Sequence, residues 1–172
     1  MGEEVHLVSP LPVRIAKEIL ERVAEHARTS YAQDEEACGY LTGPATDAFL
    51  CDESVALPNL ANRYHEMDPE TYPRTGRTYF LIDPLKFEKA VRAGKTNGRP
   101  VRVLYHSHLD VGAYFSETDA AAATMGGDKP SYESLFYLVT SVRKGTVDDH
   151  KLFDWDPITK KFVETPLEIV SP

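Results

Sequence analysis

Residues 100–126, PVRVLYHSHLDVGAYFSETDAAAATMG, change character partway along. The first part has little polarity in its middle, the pattern of a strand buried on both faces of a sheet. The last part reads as an alanine-rich helix. Ser116 is a good N-cap, Asp119 follows three residues later as in a capping box, and Gly126 marks the end. Side chains two apart on a strand share a face, so His106 and His108 present both imidazoles together at the strand's C-terminal end.

The flanking sequence continues the alternation of helices and strands. Over residues 13–28, Ile15/Ala16, Ile19/Leu20, Val23/Ala24 and Ala27 recur at helical spacing, which predicts an amphipathic helix with Pro12 in its first turn. His26 falls off that stripe and is expected to be solvated, with no role. ACGYLTG (37–43) and AFLCDESVAL (48–57) read as a hairpin or two adjacent strands. Residues 58–77 are polar, carry three prolines and form a long loop. TYFLI (78–82) is a strand candidate, Asp83-Pro84 opens a helix that Gly94 would end, and LFYLVTSV (135–142) is a second buried strand. DHKLFDW (149–155) and KKFVETPLEIV (160–170) are further strands. The sum is an α/β chain in three layers, one domain over residues 1–172.

Composition narrows the function classes. With 42% hydrophobic and 27% charged residues the chain is an ordinary globular protein. A net charge of −8 argues against nucleic acid or an anionic membrane surface as partner, since both demand basic patches. The opening MGEEVHLVSPLPVRIAKE has no basic stretch followed by an apolar one, and no apolar run approaches a membrane span, so a cytoplasmic location is expected. Cys38 and Cys51 make no C-x-x-C and are read as buried thiols behaving as small hydrophobes, their pairing left open.

The chemistry gathers around His106. An H-x-H pair alone is weak evidence, and Ser116-x-x-Asp119 alone is explained by a helix start. Together they assemble two neutral imidazoles and one carboxylate, a donor set suited to Zn²⁺. Three protein ligands leave a fourth tetrahedral position for water, as in a catalytic rather than a structural site. Hydrolysis there also needs a non-ligating proton acceptor nearby. Glu36, just before the 37–43 strand, is the best placed, although composition does not separate it from Asp34, Glu35 or Asp110.

Glu36-x-Cys38-Gly39-x-Leu41-x-Gly43, followed by His106-x-His108-x7-Ser116-x2-Asp119, resembles the JAMM (MPN-plus) metalloprotease family over about residues 10–145. The resemblance implies a mixed central sheet flanked by helices, similar to the cytidine deaminase fold. It implies one Zn²⁺ held by His106, His108 and Asp119, Glu36 as the general base that passes a proton from the zinc-bound water to the leaving amine, and Ser116 as an oxyanion donor. The implied reaction is hydrolysis of the amide after the C-terminal glycine tail of a ubiquitin-like protein, its conjugate or its adduct. The chain is most similar to compact stand-alone prokaryotic members, some of which act on sulfur carriers. It departs from many of them in carrying Leu109 where they have proline, which points to an altered substrate preference. Residues 58–77, with Arg63, Tyr64, His65 and Glu66, are the expected place for partner contacts. The oligomeric state stays open, a homodimer included.

Two other classes compete. Zinc nucleobase deaminases share the architecture but need P-C-x-x-C, which is missing here. A non-catalytic or partner-activated MPN-type scaffold would resemble the fold, generally without the full ligand set.

Overall fold

Val13 and Ile15 alternate with Arg14 and Ala16 between buried and half-buried, and that two-residue period makes Val13–Ala16 a strand, β1. The predicted helix over 13–28 therefore starts later, as α1 (Lys17–Ala32), and runs further than expected. The structure, a computed structural model, describes residues 12–171; the reading of residues 1–11 as leaderless lies outside it. Among the described residues no helix is long and apolar enough to cross a membrane.

After α1 come β2 (Cys38–Thr42), β3 (Leu50–Cys51), β4 (Glu53–Leu57), α2 (Ala61–Met67), α3 (Pro84–Thr96) and β5 (Val101–Leu109). Then follow α4 (Glu117–Thr124), β6 (Phe136–Arg143), β7 (Thr146–Asp156), β8 (Lys161–Thr165) and β9 (Leu167–Val170). The central sheet has the order β4-β2-β5-β6-β7-β8. It is mixed: β5 and β6 run parallel and every other neighbouring pair is antiparallel. A small parallel sheet, β3-β1-β9, stands apart from it. Ile19, Leu20 and Val23 of α1 join Val13 and Ile15 against Leu41, Val103, Tyr105 and Leu138 of the central sheet. The other core gathers Phe87 and Val91 of α3 and Ala123 of α4 around Leu104, Tyr137, Val139 and Phe153. This is the expected α/β layering, with the extra small sheet on the α1 side.

Several local expectations change. His26 is not solvated: it is half-buried with Nδ1 2.7 Å from the Tyr105 hydroxyl, and burial lowers its pKa. The run 48–57 divides, β4 pairing with β2 while β3 joins β1 in the other sheet. Cys38 and Cys51 are therefore not hairpin neighbours; both are buried free thiols, pushed up to about 12 by burial. Part of the 58–77 loop is the short helix α2. Residues 78–82 make no strand, because Tyr79 O, Leu81 N and Leu81 O bond to the Asn59 side chain and to Leu60 N instead of to a ladder. Helix α3 passes through Gly94 to Thr96, since Gly94 is there for space: a Cβ would stand 2.5 Å from Arg99 O.

Gly39 has a comparable role in β2. A Cβ there would lie 2.3 Å from Val55 O and 2.5 Å from the Tyr105 ring. Backbone on one side and a fully packed ring on the other leave little room to give. Gly39→Ala is expected to destabilise the fold by about 1–3 kcal/mol, read as a lower midpoint in urea unfolding.

Candidate metal centre

Strand β5 is central, flanked by β2 and β6, so its C-terminal end is held on both sides. Cys38 opposes His106 across the antiparallel β2–β5 pair, and Val139 opposes it across the parallel β5–β6 pair. His106 and His108 both face the α3–α4 side of the sheet, where His106 stacks on Phe80 with ring centroids 4.5 Å apart and 22° between planes. Tyr114 lies edge-on to His108 at 5.0 Å.

Beyond Leu109 the chain turns sharply. Asp110 adopts φ 62°, its N–H donates to Val142 O, and its carboxylate accepts from Tyr31, Lys144 N and Arg77. Gly112, at φ 91°, then directs its carbonyl back to His108 Nδ1 at 2.9 Å. A carbonyl only accepts, so Nδ1 carries the proton and Nε2 offers its lone pair to the site.

The capping box forms as predicted. Ser116 Oγ accepts from Asp119 N, and Asp119 Oδ2 accepts from Ser116 N, both at 3.0 Å. The same Oδ2 lies 3.0 Å from His106 Nε2 and 3.2 Å from His108 Nε2, and the two Nε2 atoms are 3.2 Å apart. All three residues are buried, and their ligand atoms make a group able to hold a metal ion.

The donor set fits zinc. Bonds of about 2.0–2.1 Å arranged tetrahedrally put ligand atoms about 3.3 Å apart, close to the three edges seen here. A carboxylate oxygen and an imidazole lone pair at such a distance repel unless positive charge lies between them. Burial opposes ionisation of Asp119; imidazolium charge and N–H donation at His106 and His108 outweigh it and hold the carboxyl well below the usual range. With both rings neutral, a bound cation has to supply that positive charge.

Glu36 completes the surroundings. Ser107, between the two histidines and facing the other way, ties β2 to β5: its Oγ accepts from Ala37 N at 2.7 Å and its N–H donates to Ala37 O. Cys38 stands opposite His106, and Glu36, two residues before it, lies close enough to Asp119 for the two carboxyls to interact. Glu36 is 5% exposed and its Oε1 has no hydrogen-bond partner among the described residues. Burial, and then the negative charge of Asp119, push its carboxyl well above the usual range, with Arg74 opposing. The alternatives lie elsewhere: Asp34 is exposed and paired with Arg77, Glu35 meets Asn62, and Asp110 holds the turn.

One expectation about the rim shifts. Leu109 is only 4% exposed and stays in register with Val142, so it is core; Val111 and Tyr114 are the exposed apolar residues of that loop. On α2, His65 Nδ1 meets Tyr72 O and Tyr64 packs on Tyr72, while Arg63 and Glu66 are exposed. Phe80 and the Gly112 carbonyl were missed in the sequence. Phe80 hid inside an apparent strand, and a backbone carbonyl leaves no mark in a sequence.

A mixed sheet that delivers H-x-H from a central strand and S-x-x-D from the next helix defines a JAB/MPN-type domain. The chain matches the model of prokaryotic homologues of the JAB domain over residues 16–155, and it belongs to that family. Solved structures share the fold. A protein of Desulfitobacterium hafniense, determined in solution, is 25% identical with a TM-score of 0.64, over 92% of each chain. One from Salinibacter ruber is 24% identical with a TM-score of 0.59, again over 92% of each. A JAB1/MPN domain protein from Archaeoglobus fulgidus is 18% identical with a TM-score of 0.52, over 91% of this chain and 98% of that one. No curated protein matches the sequence.

Proposed function

We propose that this protein is a zinc-dependent peptidase or isopeptidase that hydrolyses the amide after the C-terminal glycine tail of a ubiquitin-like protein. The observation that carries the reading is the meeting of His106, His108 and Asp119 within 3.0–3.2 Å, close to the buried Glu36, whose Oε1 has no hydrogen-bond partner among the described residues. A scaffold gains nothing from burying Glu36 without a partner, which costs free energy. A hydrolase needs such a group.

His106, His108 and Asp119 would hold the ion, with the Gly112 carbonyl fixing the tautomer of His108. Zinc bound there would supply Lewis acidity and a water acidic enough to deprotonate near neutral pH. Glu36, with its carboxyl raised by burial, is suited to take a proton and return it to the leaving amine. Ser116 Oγ accepts from Asp119 N, leaving its own hydroxyl hydrogen to donate to the developing oxyanion. Phe80 and Tyr114 flank the imidazoles, so a chain reaching them has to be slender, as a glycine tail is.

The test is a zinc assay together with a cleavage assay. The purified protein is expected to carry about one zinc per chain and to release a peptide fused behind the last glycine of a ubiquitin-like protein, with a chelator abolishing release. Zinc binding without cleavage of any such fusion or isopeptide conjugate would reject the proposed reaction. Ser116→Ala is expected to keep the metal, lower kcat about 100-fold and lose about 1 kcal/mol of stability with the N-cap. Single-turnover kinetics and thermal unfolding read the two effects separately.

A further inference from the structure

Asn59 lies outside the metal centre, yet its side chain is bonded at every position it has. A carboxamide offers two N–H donors and two acceptor lone pairs. Asn59 Nδ2 donates to Glu36 O and to Tyr79 O, and Oδ1 accepts from Ala61 N and Leu81 N, all at 3.0 Å. Tyr79 and Leu81 flank Phe80, whose ring covers His106. One side chain thus grips the backbone on both sides of that ring, as a neighbouring strand would, and at the same time the residue that bears the buried carboxyl.

Glu36 needs such a hold. It precedes the first residue of β2, after a turn with Asp34 at φ 58°, and the ladder does not reach its backbone groups. Its carbonyl goes to Asn59. Its N–H donates to Gly76 O at 2.7 Å, and Gly76 N donates to Asn62 Oδ1 at 2.7 Å. Both backbone groups of Glu36 are therefore fixed by residues 59–76, part of the segment that read in sequence as a long polar loop and a place for partner contacts.

We infer that Asn59 is a positioning residue: its carboxamide sets the Glu36 carboxyl and the Phe80 ring at one fixed spacing from His106. This rests on the proposed role of Glu36 for its catalytic consequence, and on the four hydrogen bonds for its geometry. A general base works only within hydrogen-bond reach of its proton, so displacing it without unbinding substrate lowers kcat and leaves KM alone.

Asn59→Asp keeps the size of the side chain but replaces both donors with an oxygen facing two carbonyls. In the folded wild type, the Asn59 side-chain amide protons are expected to exchange slowly, and nuclear Overhauser contacts should join the Phe80 and His106 rings. In the variant those contacts are expected to vanish and the His106 ring protons to lose the Phe80 ring-current shift. Zinc content should not change. On a ubiquitin-like protein carrying a C-terminal peptide, kcat should fall about 100-fold at constant KM. Retained ring contacts with wild-type kcat, or a loss of thermal stability alone, would overturn the inference. Should the variant not fold, fast exchange of the Asn59 amide in the wild type rejects the clamp and slow exchange upholds it. A wild type that cleaves nothing counts against the proposed reaction, whereas the exchange and ring contacts still decide the clamp.

Discussion

Glu36→Gln is expected to lower kcat by about 10²–10⁴-fold while zinc stays at its wild-type stoichiometry. The two side chains share one shape, and the triad of His106, His108 and Asp119 does not include residue 36. What changes is that an amide cannot take up a proton. The substitution should be kind to the fold. Glu36 Oε1 is buried and unpartnered, and burial together with the Asp119 charge already disfavours its ionised form. A neutral amide is cheaper to bury than an unpaired carboxylate, so the variant should unfold no earlier than wild type in a thermal scan. Normal turnover by Glu36→Gln would remove Glu36 as the base.

His106→Ala is expected to act through the ion instead. The variant leaves one imidazole and one carboxylate, and it takes away the ring that Phe80 covers. Losing a partner that merely orients a ligand costs about 10–100-fold in metal affinity, so losing a ligand outright should cost more and bring zinc content near zero. Cleavage should fall to background. Metal that binds the folded chain alone raises its melting temperature by mass action, so added zinc should stabilise wild type and leave His106→Ala unmoved. Retention of zinc by this variant would place the ion elsewhere.

The cluster of His106, His108 and Asp119 was legible in the sequence because two short-range rules place its members. Strand period two puts His106 beside His108, and a capping box puts Asp119 at a helix start. Each rule spans a few residues, and β5 and α4 follow them both. Glu36 is seventy residues from His106 in the chain, and only the motif around Cys38 and Gly39 pointed to it. The errors share one cause. Val13–Ala16 satisfies helical and strand spacing alike, and its partners, β3 and β9, lie far along the chain. Residues 78–82 have the composition of a strand, but their partner is a side chain, Asn59, and no periodicity encodes that. His26 falls off the apolar stripe of α1, and only the distant Tyr105 hydroxyl explains why it is not in water.

The shared oxygen of Asp119 bears on how such domains diverge. Oδ2 both closes the first turn of α4 and belongs to the triad. Asn in its place could still accept the Ser116 N–H, so one substitution would erase the ion site and spare the helix. A metal-binding and a metal-free version of the same fold would then differ by one side chain. The side chain at 119, more than the architecture, decides whether the three-ligand group survives.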